Sequence, residues 1–125
     1  MWIFEQSSGR LYQDSDPESF YVGYAGRDAG KNNPDMQHVE NVGPIPCGFY
    51  SIRKPEDRPL TIGAYALPLT PFPENDMGGR ADFFMHGDKK NAPGTASHGC
   101  PIQSKPARMA VYLSDDHLLK VIRGA

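Results

Sequence analysis

No stretch of this chain approaches the ~20 consecutive apolar residues that a membrane span requires, so no membrane partner is expected. Charge of one sign is lacking too. Thirteen Lys and Arg stand against fifteen Asp and Glu, for a net charge of −2. Counterion release on nucleic acid needs a basic face that this balance does not supply, which argues against nucleic acid as a partner. Cysteine is scarce as well: two residues, Cys47 and Cys100, are too few for a secreted disulfide scaffold. Joining them would silence the nucleophile identified below, so both are read as free thiols. The opening residues Met1-Trp2-Ile3-Phe4-Glu5-Gln6 carry no basic region, sustained apolar segment or small-residue cleavage site. No classical export signal is therefore expected, and a substrate outside the cytoplasm would need another delivery route. There is no Cys-x-x-Cys and no His-x-x-x-His. His86, His98 and Cys100 lack an obvious fourth zinc ligand, so neither a metal nor a cofactor is expected.

Proline and glycine, by contrast, are plentiful, at twelve and thirteen residues. They fall without period between short apolar runs, as in a loop-rich β protein. The 125 residues fit one domain, 1–125. Strands are expected at Trp2 to Glu5, Arg10 to Tyr12, Phe20 to Ala25, Phe49 to Arg53, Ala64 to Leu69, Asp82 to His86 and Leu118 to Ile122. One helix is expected from Lys105 to Leu113, with Ser104 as N-cap and Pro106 in the first turn. Residues 26–41 break the pattern, and a loop of that length is commonly functional, for instance a lid. The expected fold is mostly β with one short helix after Cys100.

The chemistry lies in His86-Gly87-Asp88 and, after a loop, Ser97-His98-Gly99-Cys100. A thiol attacks as thiolate, and a free cysteine at pKa ~8.5 is only slightly ionised at neutral pH. A nearby imidazole corrects this by taking the proton. His98 lies two residues before Cys100, so in an extended segment the two side chains stand side by side. His86, at a strand end, can approach from the facing side and is the preferred base. Asp88, or a carbonyl near Gly87, can orient its imidazole, although Asp88 fits a turn-forming role equally well. Gly99 permits close backbone approach, and the N–H groups of Gly99 and Cys100 offer an oxyanion hole. His98 is divided between shaping this turn and direct chemistry. Arg80 and Arg108 are candidates for a substrate carboxylate, against solvated roles. His38 and His117 read as surface residues, Cys47 as a packed thiol, and the aromatic residues Phe20, Tyr21, Tyr24, Phe83 and Phe84 as core.

His-Gly followed by Ser-His-Gly-Cys resembles the signature of YkuD-type L,D-transpeptidases, mostly-β enzymes that attack peptidoglycan stem peptides through a cysteine thioester. Asn32-Asn33-Pro34, Gly43-Pro44-Ile45-Pro46, Gly48 to Ile52 and Gly79-Arg80 extend the similarity to the small L,D-transpeptidase-like effectors delivered by type VI secretion. The resemblance implies a YkuD-like β-sandwich or barrel-like domain with Cys100 as nucleophile, His86 as base and the Gly87 backbone as orienter. The His98-Gly99-Cys100 turn, with Ser97 shaping it, would form the oxyanion hole; Arg80 is kept as the substrate-binding candidate on its guanidinium chemistry. The resemblance further implies peptidoglycan stems as substrate, a cognate immunity protein, a secretion-machine carrier, and action in the periplasm of a target bacterium. Pro101-Ile102-Gln103 stands where YkuD enzymes usually place an aliphatic residue and then Arg or Asn. Two rival readings are a catalytically silent wall-binding module and a cytoplasmic cysteine peptide hydrolase.

Overall fold

A computed structural model describes residues 1–124. The strand β1 (Trp2–Glu5) turns back into β2 (Arg10–Gln13), with Ile3 opposite Tyr12, and β3 (Phe20–Val22) extends this edge. The remaining strands are β4 (Gly48–Ile52), β5 (Glu56–Arg58), β6 (Gly63–Pro71), β7 (Phe83–Met85) and β8 (Leu118–Ile122). They form one sheet in the order β3-β2-β1-β8-β4-β6-β5, with β7 paired to β6. The sheet curls into a half-barrel. The last strand thus lies at its middle, parallel to β1 and antiparallel to β4.

That central position follows from sequence pattern. In β8 the side chains of Leu119 and Val121 are buried while Leu118, Lys120 and Ile122 are partly exposed, the period-two alternation of a strand with one face on a core. Phe4, Leu11, Ile45, Tyr50, Leu67, Met85 and Val111 are fully buried with them. Nine-residue β6 connects the parts. Leu67 to Leu69 pair with β7, Leu69 to Pro71 pair with β4, and its first residues pair with β5 across a register shift.

The helix α1 (Lys105–Leu113) starts where Ser104 Oγ accepts the Ala107 N–H at 3.2 Å, with Pro106 in its first turn. It buries Ala107, Arg108 and Val111. Arg108 fastens it to β6, donating from Nε to Tyr65 O at 3.0 Å and from Nη1 to Gln103 O at 2.5 Å.

The expected mostly-β fold with one short helix is the observed one. Three differences have local causes. Strand β3 ends at Val22 because Tyr24 leaves it to bridge Ile102. Strand β5 was not expected, since Glu56-Asp57-Arg58 is polar and fully exposed at the sheet edge. Residues 26–41 hold two 3-10 turns, Asp28–Gly30 and Pro34–Met36, the second capped by Asn33 Oδ1 on the Asp35 N–H at 3.1 Å.

Leu119, fully buried opposite Trp2 on one side and Tyr50 on the other, sits where the two halves of the sheet meet. Leu119→Ala is expected to lower unfolding free energy by about 2–5 kcal/mol, read from the midpoint of a urea titration. A midpoint equal to that of the parent would show that this position is not a packing centre.

Candidate active site

Two extended segments, 84–86 and 100–102, run side by side. The His86 N–H donates to Pro101 O at 3.1 Å, and the Gln103 N–H donates to His86 O at 3.0 Å, so His86 and Ile102 form a parallel bridge. Tyr24 bridges Ile102 from the other side. Cys100 lies two positions earlier in this register, and its Sγ accepts the Phe84 N–H at 3.3 Å. Thiol and imidazole therefore come from neighbouring parallel segments, staggered by two residues rather than directly opposed.

The His86 ring is buried, at 4% exposure. Nδ1 lies 3.0 Å from Gly87 O. A carbonyl oxygen only accepts, so Nδ1 carries the proton and Nε2 is left as the basic nitrogen. Burial, helped by the nearby Arg108 charge, holds the imidazole below its ordinary value of 6.5, against the Gly87 hydrogen bond and the Asp88 charge. His86 is thus a neutral base at neutral pH.

Cys100 is pushed the other way. Burial raises its thiol above 9.0, while the Phe84 N–H, the Arg80 charge and its own N–H work against that rise. The resting pair is thiol and neutral imidazole. The His86 ring bonds to Gly87 O, and Sγ is held by the N–H groups of Phe84 and of Cys100 itself.

The turn before the cysteine is built on one hydroxyl. Ser97 Oγ donates to Cys100 O at 2.7 Å and accepts the N–H groups of Gly26 at 2.8 Å and Gly99 at 3.0 Å. Gly99 has φ 137°, and a Cβ there would collide with Arg80 Nη2, so only glycine fits. The Gly99 N–H is engaged by Ser97. Of the two amides expected to form an oxyanion hole, this leaves that of Cys100.

Arg80 departs from the expected role. It is 7% exposed. Its guanidinium donates from Nη1 to Gln37 O (2.7 Å) and Pro44 O (2.9 Å), and from Nη2 to Gly43 O (3.0 Å) and His98 O (3.1 Å). With four donors on backbone carbonyls and its guanidinium carbon 5.2 Å from the centre of the Phe83 ring, it clamps the turn that carries Cys100. Arg108 is likewise buried on carbonyls. Asp88 does not touch the His86 ring. Its carboxylate accepts from Tyr24 Oη (2.7 Å) and from the N–H groups of Lys89 (2.9 Å) and Gly94 (3.0 Å), closing the 88–94 loop. Exposed His98 lies beside Arg27, with its ring nitrogens 3.3 and 3.4 Å from Nη1.

Cys100 opens into a cleft of about 290 Å³ lined by Glu40, Asn41, Arg80, Asp82, Phe83 and His98. Cys47 is away from it, donating from Sγ to Gln6 Oε1 at 3.4 Å. Sequence reasoning missed Glu40, Asn41 and Arg27, which are ordinary polar loop residues by pattern. It placed Tyr24 in the core, where the ring is indeed buried, but not its hydroxyl, which joins Asp88 to the Ala96 N–H.

A curled, mostly-β sheet with one short helix, carrying a strand-end histidine beside a Gly-Cys turn, is the architecture of a YkuD-like domain. The chain belongs to the Tlde1 domain family, matched across residues 19–123, a family related to the YkuD-like L,D-transpeptidases and type VI secretion effectors. Comparison with curated proteins and with solved structures returned no match.

Removing the Arg80 cation leaves four carbonyls without their donor, those of Gly43 and Pro44 in buried hydrogen bonds and those of Gln37 and His98 in part-buried ones, at about 1–3 kcal/mol for each buried group left unsatisfied. Arg80→Ala is expected to destabilise the protein by at least about 3 kcal/mol in urea unfolding. Arg80→Lys should recover little, because a point ammonium cannot span carbonyls on both sides of a planar fork. Full stability in Arg80→Lys would refute the clamp.

Proposed function

We propose that the protein is a cysteine acyl transferase acting on peptidoglycan tetrapeptide stems, with Cys100 as nucleophile and His86 as general base and acid. One observation carries this reading: Gly87 O fixes the imidazole through Nδ1, leaving basic Nε2 on a segment hydrogen-bonded to the one that bears Cys100. Family membership supplies the substrate class.

In this mechanism Sγ rotates from the Phe84 N–H toward His86 and gives its proton to Nε2. The thiolate attacks the carbonyl carbon of the L,D bond between meso-diaminopimelate and D-alanine. The oxyanion develops against the Cys100 N–H, which the turning sulfur releases. The carbon–nitrogen bond then breaks, Nε2 returns the proton to the departing amine, and D-alanine leaves. Water, a free D-amino acid or the amine of a second stem then attacks the thioester carbonyl as His86 takes its proton; the carbon–sulfur bond breaks, and Nε2 returns that proton to the departing Cys100 sulfur. The type VI effector kinship supports action in the periplasm of a target bacterium after injection by a secretion machine, with an immunity protein guarding the producer.

Purified disaccharide-tetrapeptide incubated with reduced protein should lose or exchange its terminal D-alanine, as read by mass spectrometry. Unchanged tetrapeptide would sink the proposal. Cys100→Ala should abolish all product with an unchanged circular dichroism spectrum, while Cys47→Ala stays near parental activity. Product from Cys100→Ala would remove Cys100 from the role of nucleophile.

The pH profile tests the base. Protonated His86 cannot accept the thiol proton, and its folded pKa lies below 6.5. kcat/KM should therefore rise with pH through an inflection below 6.5. Linkage gives the same sign for stability. Below 6.5 the unfolded chain binds the His86 proton more readily than the folded one, so stability falls as pH drops from 6.5 toward the folded value. An acid limb above 7 would exclude His86 as that base.

A further inference from the structure

His86 holds its tautomer through one carbonyl, that of Gly87. A peptide unit is planar, so the direction of this carbonyl is set by where the α-carbons of Gly87 and Asp88 stand. Gly87 has no side chain to hold it, and Arg108 Nη1 lies 3.0 Å from the place a Cβ would take. Asp88 is therefore the end of this peptide that a side chain can hold. It opens a largely exposed loop, 88–96, whose internal hydrogen bonds are local. Asp88 accepts from the N–H groups of Lys89 and Gly94, and Thr95 Oγ1 donates to Ala92 O at 2.6 Å. Bonds of that kind fix the shape of the loop but not its position.

Position comes from Tyr24. Its main chain is bonded in both directions to Ile102, at 3.1 and 2.7 Å, and Ile102 bridges His86. Tyr24 thus stands on the same layer as the Cys100–His86 pair. Its ring is buried, with Lys31 Nζ 4.4 Å from the ring centroid. The phenol uses both of its hydrogen-bonding functions. It donates to Asp88 Oδ1 at 2.7 Å and accepts the Ala96 N–H at 3.0 Å. Ala96 is followed by Ser97, whose hydroxyl builds the turn before Cys100. One oxygen therefore ties the stretch after the base to the stretch before the nucleophile. Burial and the Asp88 carboxylate push Tyr24 up to about 12, so its proton is in place at any working pH.

We propose that Tyr24 is a positioning residue of this site: through Asp88 it aims the Gly87 carbonyl that selects the His86 tautomer, and through Ala96 it sets the turn that presents Cys100. The role rests on the proposed use of His86 as base and deepens it. Among the described residues the Tyr24 hydroxyl bonds to neither reacting group, so it acts through Asp88 and Ala96. Without that hydroxyl, Asp88 moves with its loop and the Gly87 carbonyl loses its aim at Nδ1. The imidazole proton is then shared between the two nitrogens. A neutral ring protonated at Nε2 cannot take the thiol proton there. Fewer molecules are competent at any moment, while the cleft over Cys100 binds substrate as before.

Tyr24→Phe removes the oxygen and keeps the ring. In imidazole ¹⁵N spectra of the reduced protein at neutral pH, parental His86 should show the Nδ1–H tautomer, and Tyr24→Phe should mix in the Nε2–H form. Asp88→Ala, at an exposed position, should give the same mixture and serves as the second variant should Tyr24→Phe fail to fold. With tetrapeptide, either change should lower kcat about tenfold to a hundredfold, part of what general acid–base catalysis supplies, and leave KM unchanged. The two residues act through one hydrogen bond, so their losses should not multiply in the double variant. A pure Nδ1–H signal in a folded variant, Nε2–H in the parent, a change confined to KM, or losses that multiply would each overturn the role. The tautomer is read without substrate. Parental protein that shows the expected tautomers and yields no product would therefore refute the acyl transfer alone.

Discussion

The site depends on one buried cation. The guanidinium of Arg80 joins the carbonyls of Gln37, Gly43 and Pro44 to that of His98, and so ties the long loop after β3 to the turn that presents Cys100. These carbonyls belong to irregular backbone, which has no ladder to satisfy it, and a planar fork with several donors meets that need where water is excluded. Gly99 follows from the same contact, since any Cβ would occupy the place of Nη2. The charge has a second effect. It favours the thiolate of Cys100. One side chain thereby fixes the shape of the turn and biases the chemistry of the residue that ends it.

Burial drives both members of the pair toward their neutral forms, the thiol upward and the imidazole downward. A preformed thiolate–imidazolium pair is therefore not the resting state, and in the mechanism we propose ionisation waits until the sulfur turns to Nε2. Such a nucleophile is shielded from adventitious oxidants, since reactivity follows thiolate character and exposure. The Phe84 N–H holds the sulfur until then.

Much of the architecture is legible from pattern. β1, α1 and β8 carry clear signals: an apolar opening, a Ser-x-Pro start, and an alternating close. The Cys-His pair is legible because glycine on its flanks restricts what the backbone there can do. Charged side chains are where pattern misleads. Arg80 and Asp88 look like substrate or catalytic groups, and the fold engages both on its own backbone. Nothing local marks Arg80, because the carbonyls it binds lie up to forty-three residues away, whereas Asp88 closes its own loop on Lys89 and Gly94, the turn-forming role that its setting equally suits. Glu40 and Asn41 are illegible for the same reason: only tertiary folding brings that loop over the thiol. Strand β5 escapes because an edge strand with three exposed polar residues carries no alternation.

The parallel pairing of β1 with β8 has a consequence for the order of assembly. Trp2 meets Leu119 across almost the whole chain, so the β1–β2–β3 meander cannot dock on the β4–β6–β7 layer until the final strand lies between them. Contacts of such long range carry a large loop-closure entropy and form late. His86 and Cys100, on segments only fourteen residues apart, belong to the half that can assemble earlier, yet Tyr24 and Gly9, which brace Ile102 and Gln103, belong to the other. A chain caught before the last strand docks would hold its thiol and imidazole without the outer wall that steadies them. Competence is thereby a property of the completed sheet rather than of the Cys100–His86 pair alone.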